Sequence, residues 1–129
     1  MKKWFLFSFM LIAFAAGAQD KIKEFENYNK TPQLQSALKK FDLTPFLADE
    51  VLFVFDGTDN TYSPAQVNKA LKSNMKLPKK YAINHASETN HGYSQTFGVY
   101  DADEIPIYFV AFRINQLTQK IEEVRLTSN

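Results

Sequence analysis

The spacing of apolar residues changes at residue 80 of this 129-residue chain, from helical spacing to alternation with a period of two. The alternating part divides at turn residues into four segments, at about 81–86, 93–100, 105–112 and 121–126. A period of two is typical of β-strands, whose successive side chains point to opposite faces of a sheet. Helices first and four strands in succession last favour an α+β fold with an antiparallel sheet over a doubly wound parallel sheet.

Upstream of residue 80 the sequence predicts three helices and two strands. Apolar spacing indicates a first helix over about 22–29, and Thr31-Pro32 begins a second, with threonine as the cap and proline at the first helical position. The apolar run 51–55 predicts a strand buried on both faces, followed by a short return strand at about 61–62. Ser63-Pro64 is a second pair of a cap residue and a proline, and it predicts a third helix that ends near residue 76.

The first 18 residues have the parts of a secretory signal peptide, which are a basic start, an apolar run from Phe5 to Ala16 and small residues up to Ala18. The apolar run is too short for a spanning helix, so we expect cleavage between Ala18 and Gln19. The expected product is a single domain over 19–129, periplasmic or secreted in a bacterium, with no transmembrane anchor. The chain has no cysteine, so its new amino terminus has no thiol for lipid attachment.

Composition excludes several classes of function. The absence of cysteine excludes disulfide frameworks, thiol nucleophiles, zinc ribbons and iron–sulfur sites. The 15 basic and 14 acidic residues nearly balance, so we expect no nucleic-acid partner. Asp101, Asp103 and Glu104 form a close acidic group, but it lacks the glycine that a calcium loop needs for its sharp turn. We therefore predict no metal site and no cofactor.

Two histidines and one loop aspartate remain as candidates for chemistry. His85 is the histidine expected within a strand, on one face with Tyr81 and Ile83. In an apolar pocket, an imidazole with a phenol near it could act as base and oxyanion donor. The alternative is a half-buried or surface histidine that hydrogen-bonds a neighbour. His91 is expected in the turn that follows, and Asp42 as a cap or a surface residue.

The third strand segment of the series is apolar on both faces. Tyr108 and Phe112 share one face, and Ile107 and Phe109 share the other. A sheet face this apolar is rarely left open to water, so we expect one face to meet the helices and the other to meet a second copy, a partner or a ligand. The alternative is that lysine side chains and neighbouring strands cover the second face.

Four short motifs of the chain carry a resemblance to a known family. They are Leu38-Lys39-Lys40-Phe41-Asp42, Tyr62-Ser63-Pro64-Ala65-Gln66, Ile83-Asn84-His85 and Ile121-Glu122-Glu123-Val124-Arg125-Leu126. They make residues 20–127 similar to exported bacterial proteins of the domain of unknown function 4783 family, in the nuclear transport factor 2-like (cystatin-like) superfamily. The resemblance implies N-terminal helices packed on a strongly bent sheet, which forms a cone with a pocket at its wide end. It also implies homodimerisation through the sheet, and it brings no reaction with it.

These observations predict an exported, non-enzymatic domain of the cell envelope that binds a small apolar ligand or a protein partner, through the cone pocket or the face of the sheet. The alternative is a small pocket enzyme of the isomerase, dehydratase or cyclase type, as among other proteins with this cone, which would use His85 with Tyr81. The residues predicted to line the pocket or the interface are Tyr81, His85, Phe97, Tyr108 and Phe112.

Overall fold

The computed structural model describes residues 30–86 and 93–129. The predicted signal peptide, the predicted helix at 22–29 and the predicted turn that contains His91 lie outside the described residues. The described helices are α1 (Thr31–Lys39) and α2 (Pro64–Asn74), with a 3₁₀ turn at Thr44–Phe46. The described strands are β1 (Leu47–Phe55), β2 (Thr58–Tyr62), β3 (Tyr81–His85), β4 (Ser94–Asp101), β5 (Pro106–Ile114) and β6 (Ile121–Ser128).

The six described strands form one sheet in the order β2-β1-β6-β5-β4-β3. The α+β class and the four strands in succession are confirmed. One pair differs from the predicted antiparallel arrangement, because β1 runs parallel to β6 while the other four pairs are antiparallel. Strand β1 buries Val51, Phe53 and Val54, whereas β2 is mostly exposed. The apolar strand therefore lies inside the sheet beside β6, and the polar strand of the same hairpin forms the edge.

Helix α1 packs on the sheet through its predicted apolar stripe, in which Leu34 and Leu38 are fully buried. Its predicted cap is wrong by one residue, since the cap is Lys30, whose own side chain makes no capping hydrogen bond. Thr31 is instead the first helical residue, and its hydroxyl donates to Oε1 of Gln95 on β4 at 3.1 Å. A hydrogen bond to a distant strand thus replaces the local cap.

Helix α2 begins where the cap-and-proline signature predicts. The hydroxyl of Ser63 accepts from the backbone N–H of Gln66 at 3.4 Å, and Oε1 of Gln66 accepts from the backbone N–H of Ser63 at 2.9 Å. This reciprocal capping box satisfies two backbone donors that the helix itself cannot. The helix buries Val67 and Leu71 and ends at Asn74, slightly earlier than predicted.

A two-residue turn, Asp56-Gly57, joins β1 to β2. Its φ angles are 45° and 90°, and positive φ at both positions is typical of the type I′ turns that Asp-Gly sequences form in hairpins. The Asp56 carboxylate accepts from the backbone N–H of Ser128 at 3.0 Å and from the Ser128 hydroxyl at 2.8 Å. These hydrogen bonds, the backbone one foremost, hold the pKa of Asp56 below its usual value of 3.8 and tie the hairpin to the end of β6.

The sheet has an inner face, defined by Ile83, Phe97, Phe112 and Val124, which is buried in one core with the apolar residues of α1 and α2. The residues that alternate with these form the outer face. Irregularities in register interrupt β1, β4 and β5, and bulges of this kind bend strands. Within residues 30–86 and 93–129, no helix is long and apolar enough to cross a membrane.

Candidate functional site

The predicted strand histidine, His85, ends the edge strand β3 and lies opposite Phe97 of β4 on the inner face. The centroids of the two rings are 5.4 Å apart and their planes meet at 58°. His85 is half-buried, and its Nε2 atom is shielded from solvent without a hydrogen-bond partner in the part of the chain that the structure describes. Leaving a shielded polar atom unpaired costs about 1–3 kcal/mol, a cost that a hydrogen bond to this nitrogen would recover.

A second polar side chain, Gln95, lies on the same inner face of β4. It is 4% exposed and is the one polar residue that is buried within the described ranges. The register places Gln95 diagonally across from His85, at the roughly 7–8 Å that separates diagonal neighbours in a sheet. The Gln95 amide is held by the Thr31 hydroxyl of α1. An amide and an imidazole therefore lie near each other on an otherwise apolar face.

Helix α1 fixes this corner of the sheet through polar contacts. Gln35 donates from Nε2 to the backbone oxygen of Ile83 on β3, one helical turn beyond the bond from Thr31 to Gln95. The residues predicted for the site do not include Thr31, Gln35 or Gln95. A signal for Gln95 was present, since it is a polar residue at a position where the alternation predicts the core. Gln35 gives no local signal, because its partner is 48 residues away.

Tyr81 shares the inner face with His85, as predicted, but the two residues lie at opposite ends of β3. Four residues of strand separate their Cα atoms by about 13 Å. A catalytic base must lie within hydrogen-bond reach of the proton that it takes, and a paired donor must reach the same reacting group. His85 and Tyr81 can thus contact opposite ends of a ligand, but not one reacting centre.

The other three predicted residues lie on the inner face and contribute to the core. Phe97 is 0% and Phe112 is 1% exposed, and their rings meet edge-on with centroids 5.8 Å apart. The hydroxyl of Tyr108 accepts from the backbone N–H of Lys76 at 2.8 Å, which fixes the chain just after α2 against β5. Because Tyr108 and Phe112 face the helices, the side of β5 that remains for a partner carries Phe109 and Ala111.

Tyr100 covers part of the outer face next to Phe109. A Cβ atom placed on Gly98 would stand 2.6 Å from the Tyr100 hydroxyl oxygen, so the tyrosine ring lies over the glycine backbone. Gly98 is the register partner of Phe109, which is half-buried. This arrangement favours the alternative in which neighbouring strands cover the second apolar face of β5.

The acidic candidates serve as turn residues. Oδ1 of Asp101 accepts from the backbone N–H groups of Asp103 and Ile105, at 2.9 and 3.0 Å. Oδ1 of Asp42 accepts from the backbone N–H of Thr44 at 3.4 Å. Within the described ranges, no group of three histidine, aspartate or glutamate residues is arranged to hold a metal ion.

A groove of about 660 Å³ lies on the outer face of β5 and β6, and of the five predicted pocket or interface residues its lining includes Phe112. Its lining includes Arg113, Glu122, Glu123 and Arg125. Nη2 of Arg125 is 3.3 Å from the Glu123 carboxylate, and the Arg113 guanidinium lies 3.6 Å from Glu123 and 3.8 Å from Glu122. This part of the outer face is therefore charged, with both signs present.

Several solved structures resemble the structure of this chain, although the identity between their sequences and this one is low. A protein of the domain of unknown function 4783 family from Bacteroides ovatus matches with a TM-score of 0.57 and 14% identity, over 74% of this chain and 92% of its own. A protein with a cystatin-like fold from Silicibacter pomeroyi matches with a TM-score of 0.58 and 14% identity, over 81% of this chain and 76% of its own. A candidate ketosteroid isomerase from Kribbella flavida matches with a TM-score of 0.56 and 12% identity, over 81% of this chain and 78% of its own. No protein-family model and no curated protein matches the sequence.

At these identities the likeness concerns the fold alone. The resemblance that the sequence motifs indicate is confirmed at that level, because the two described helices and the six-stranded sheet match structures of proteins of the domain of unknown function 4783 family and of another protein with a cystatin-like fold. The same fold holds a candidate isomerase and a SnoaL-like cyclase candidate from Shewanella putrefaciens, so the fold does not select a function. The chain has the nuclear transport factor 2-like, or cystatin-like, fold.

Proposed function

We propose that this chain is exported and acts as a binding domain, which takes a small, largely apolar ligand at the inner face beside His85. The observation that carries this proposal is the shielded Nε2 atom of His85, which has no hydrogen-bond partner among the described residues while its ring packs against Phe97. An apolar wall with one unpaired polar atom suits a ligand that is mostly hydrocarbon and bears a single hydroxyl or carbonyl group.

Binding is favoured over catalysis by what surrounds the imidazole. Its polar neighbour across the strands, Gln95, cannot exchange protons, and Tyr81 is about 13 Å away along the strand. None of the hydrogen bonds or ion pairs between described residues joins His85 to a carboxylate that would orient it or raise its basicity. A proton-transfer enzyme of the isomerase or cyclase type would need such a partner.

The binding proposal is tested with 1-naphthol, which combines an apolar ring system with one hydroxyl, against naphthalene, which lacks the hydroxyl. We expect 1-naphthol to shift the NMR signals of His85 and Phe97 and to bind about tenfold more tightly than naphthalene, a difference of about 1.4 kcal/mol. In His85→Leu this preference should vanish. Equal affinities in the wild type would refute the role of Nε2.

The enzyme alternative has its own measurement. An isomerase or cyclase of this cone type moves protons next to a carbonyl, so it would incorporate deuterium from D₂O into a bound ketone. We expect no incorporation into 2-tetralone beyond the rate in buffer. Incorporation that disappears in His85→Leu would replace the binding proposal with the enzymatic one.

Export is supported by residues 1–18, with their basic start, apolar run and small residues before Gln19. The intact mass of the protein from the periplasm or the culture medium should correspond to residues 19–129. A full-length mass, or recovery from the cytoplasm alone, would refute this part of the proposal.

A homodimer through the sheet is a second proposal, and it rests on the apolar outer side of β5, where Ile107, Phe109 and Ala111 alternate with the residues that face the helices. Light scattering on the wild type and on Phe109→Glu should then show a dimer that the charge dissociates. A monomer in the wild type would leave Tyr100 and the neighbouring strands as the cover of this face.

A further inference from the structure

Both arginines of the chain lie in the groove on the outer face of β5 and β6. The other 13 basic residues of the chain are lysines. In register, Arg113 pairs with Glu123 and Arg125 pairs with Ala111, so the two arginines are diagonal neighbours on one face. A guanidinium presents a planar fork of donors that matches a carboxylate, which an ammonium group does not. These two positions therefore carry the basic side chain that is better suited to bind a carboxylate.

The shape of the groove follows from small residues between the charged ones. Ser94 and Ala111 lie in its lining, on the outer face beside the two arginines. The volume, about 660 Å³, is within the roughly 300–1,000 Å³ of pockets that hold small ligands. There is room for a few residues of peptide.

The guanidinium of Arg113 is not committed to either glutamate. Its distances of 3.6 Å to Glu123 and 3.8 Å to Glu122 exceed hydrogen-bond length, and its side chain is 55% exposed. Glu123 lies close to both arginines, at 3.6 and 3.3 Å, whereas the one ion pair of Glu122 among the described residues is the 3.8 Å approach of Arg113. The groove thus offers one loosely held guanidinium next to the Arg125–Glu123 pair, and a loosely paired carboxylate beside it.

From this arrangement we propose that the outer groove binds a zwitterionic amino acid or short peptide. The ligand carboxylate bonds the Arg113 guanidinium, beside the Arg125–Glu123 pair, and the ligand ammonium group lies at Glu122. The two arginines and two glutamates have no net charge, so a simple anion or cation meets as much repulsion as attraction. A molecule with both charges complements both. This inference concerns a different face from the His85 site and does not depend on it.

The probe is Ala-Ala-Ala with free ends, compared with its N-acetyl form and its C-terminal amide. Calorimetry on the purified protein should show that the free tripeptide binds and that each capped form binds about tenfold more weakly or worse. In NMR spectra the free peptide should shift backbone signals at 111–113 and 122–125. Binding that ignores the caps would overturn the proposal, as would no binding at about 10 mM peptide.

Variants separate recognition from general charge effects. Arg113→Lys keeps the positive charge but loses the forked pair of guanidinium donors, and should weaken binding of the free tripeptide about tenfold. Glu122→Gln should make the free and N-acetyl forms bind equally. Lys72→Gln, on the exposed side of α2, changes the charge away from the groove and should leave affinity unchanged. Unchanged binding in Arg113→Lys and Glu122→Gln, with wild-type melting curves, would mean that these residues form an ion-pair ladder only.

Discussion

The imidazole of His85 lies 5.4 Å from the ring of Phe97, centroid to centroid, with a shielded nitrogen that bonds nothing in the described chain. Phe97 is fully buried and belongs to the central core. The polar atom is therefore held against a rigid apolar wall and cannot turn to water without moving the ring contact. In the absence of ligand this arrangement costs stability, and binding can recover that cost.

His85→Leu should stabilise the ligand-free protein by about 1 kcal/mol, because it removes an unpaired polar atom and keeps an apolar contact with Phe97. Urea unfolding near neutral pH gives the free energy of unfolding directly. Asn84→Leu, on the exposed side of the same strand, is the matched control and should change stability by less than about 0.5 kcal/mol. A loss of stability in His85→Leu would show that Nε2 has a partner in solution.

Asp56→Asn should make the protein less stable near pH 7, because it removes the charge that accepts two hydrogen bonds from Ser128. The folded-state pKa of Asp56 lies below the unfolded value of 3.8. Such a carboxylate stabilises the fold above its unfolded pKa, and the contribution is lost as the pH falls through its folded pKa. Asparagine tolerates the positive φ of this turn, so the variant isolates the charge.

The measurement for Asp56 is unfolding by urea at several pH values from neutral to below 3.8. The gap between wild type and Asp56→Asn should narrow as the pH falls below that value. Asp59→Asn changes a carboxylate of the same hairpin and serves as the control. A gap that is constant with pH would show that the carboxylate does not act through its ionisation.

Gly98→Ala should destabilise the protein by about 1 kcal/mol, because the new Cβ would lie 2.6 Å from the Tyr100 hydroxyl oxygen and 2.7 Å from its ring, and would displace the side chain from the outer face. The same substitution made in a Tyr100→Ala background should cost nothing. A double-mutant cycle of the two changes measures this coupling. Independent, additive effects would show that Tyr100 does not occupy the space above Gly98.

The parts of the fold that local chemistry decides could be predicted from the sequence. Ser63 with Gln66 fixes the start of α2, and Asp56-Gly57 fixes the β1–β2 turn. Pairings between distant segments were harder to predict. The parallel pairing of β1 with β6 depends on which strand of a hairpin is buried, and the Thr31 hydroxyl bonds a residue 64 positions away instead of capping its own helix.

The candidate site likewise combines features that local sequence patterns predict with features that depend on contacts between distant segments. Strand alternation correctly placed His85 and Tyr81 on one face of β3, but their separation of about 13 Å along the strand argues against the paired chemistry that was the alternative. Phe112 and Tyr108, predicted for a pocket or an interface, pack in or against the core because the helices take that face of β5, and Phe112 also contributes to the lining of the outer groove. The outer groove depends on residues from two strands that meet only in the folded sheet, so no local motif indicates it.

The most direct test of the binding role is mass spectrometry of the protein recovered from the periplasm or the culture medium. Wild type and His85→Leu are each measured under native conditions and again after extraction with an organic solvent. We predict that the wild type carries a small, largely apolar molecule with one hydroxyl or carbonyl group, and that His85→Leu carries little of it. A wild-type protein that is empty, or a variant that retains the same molecule in full, would contradict the assignment of His85 to a ligand site.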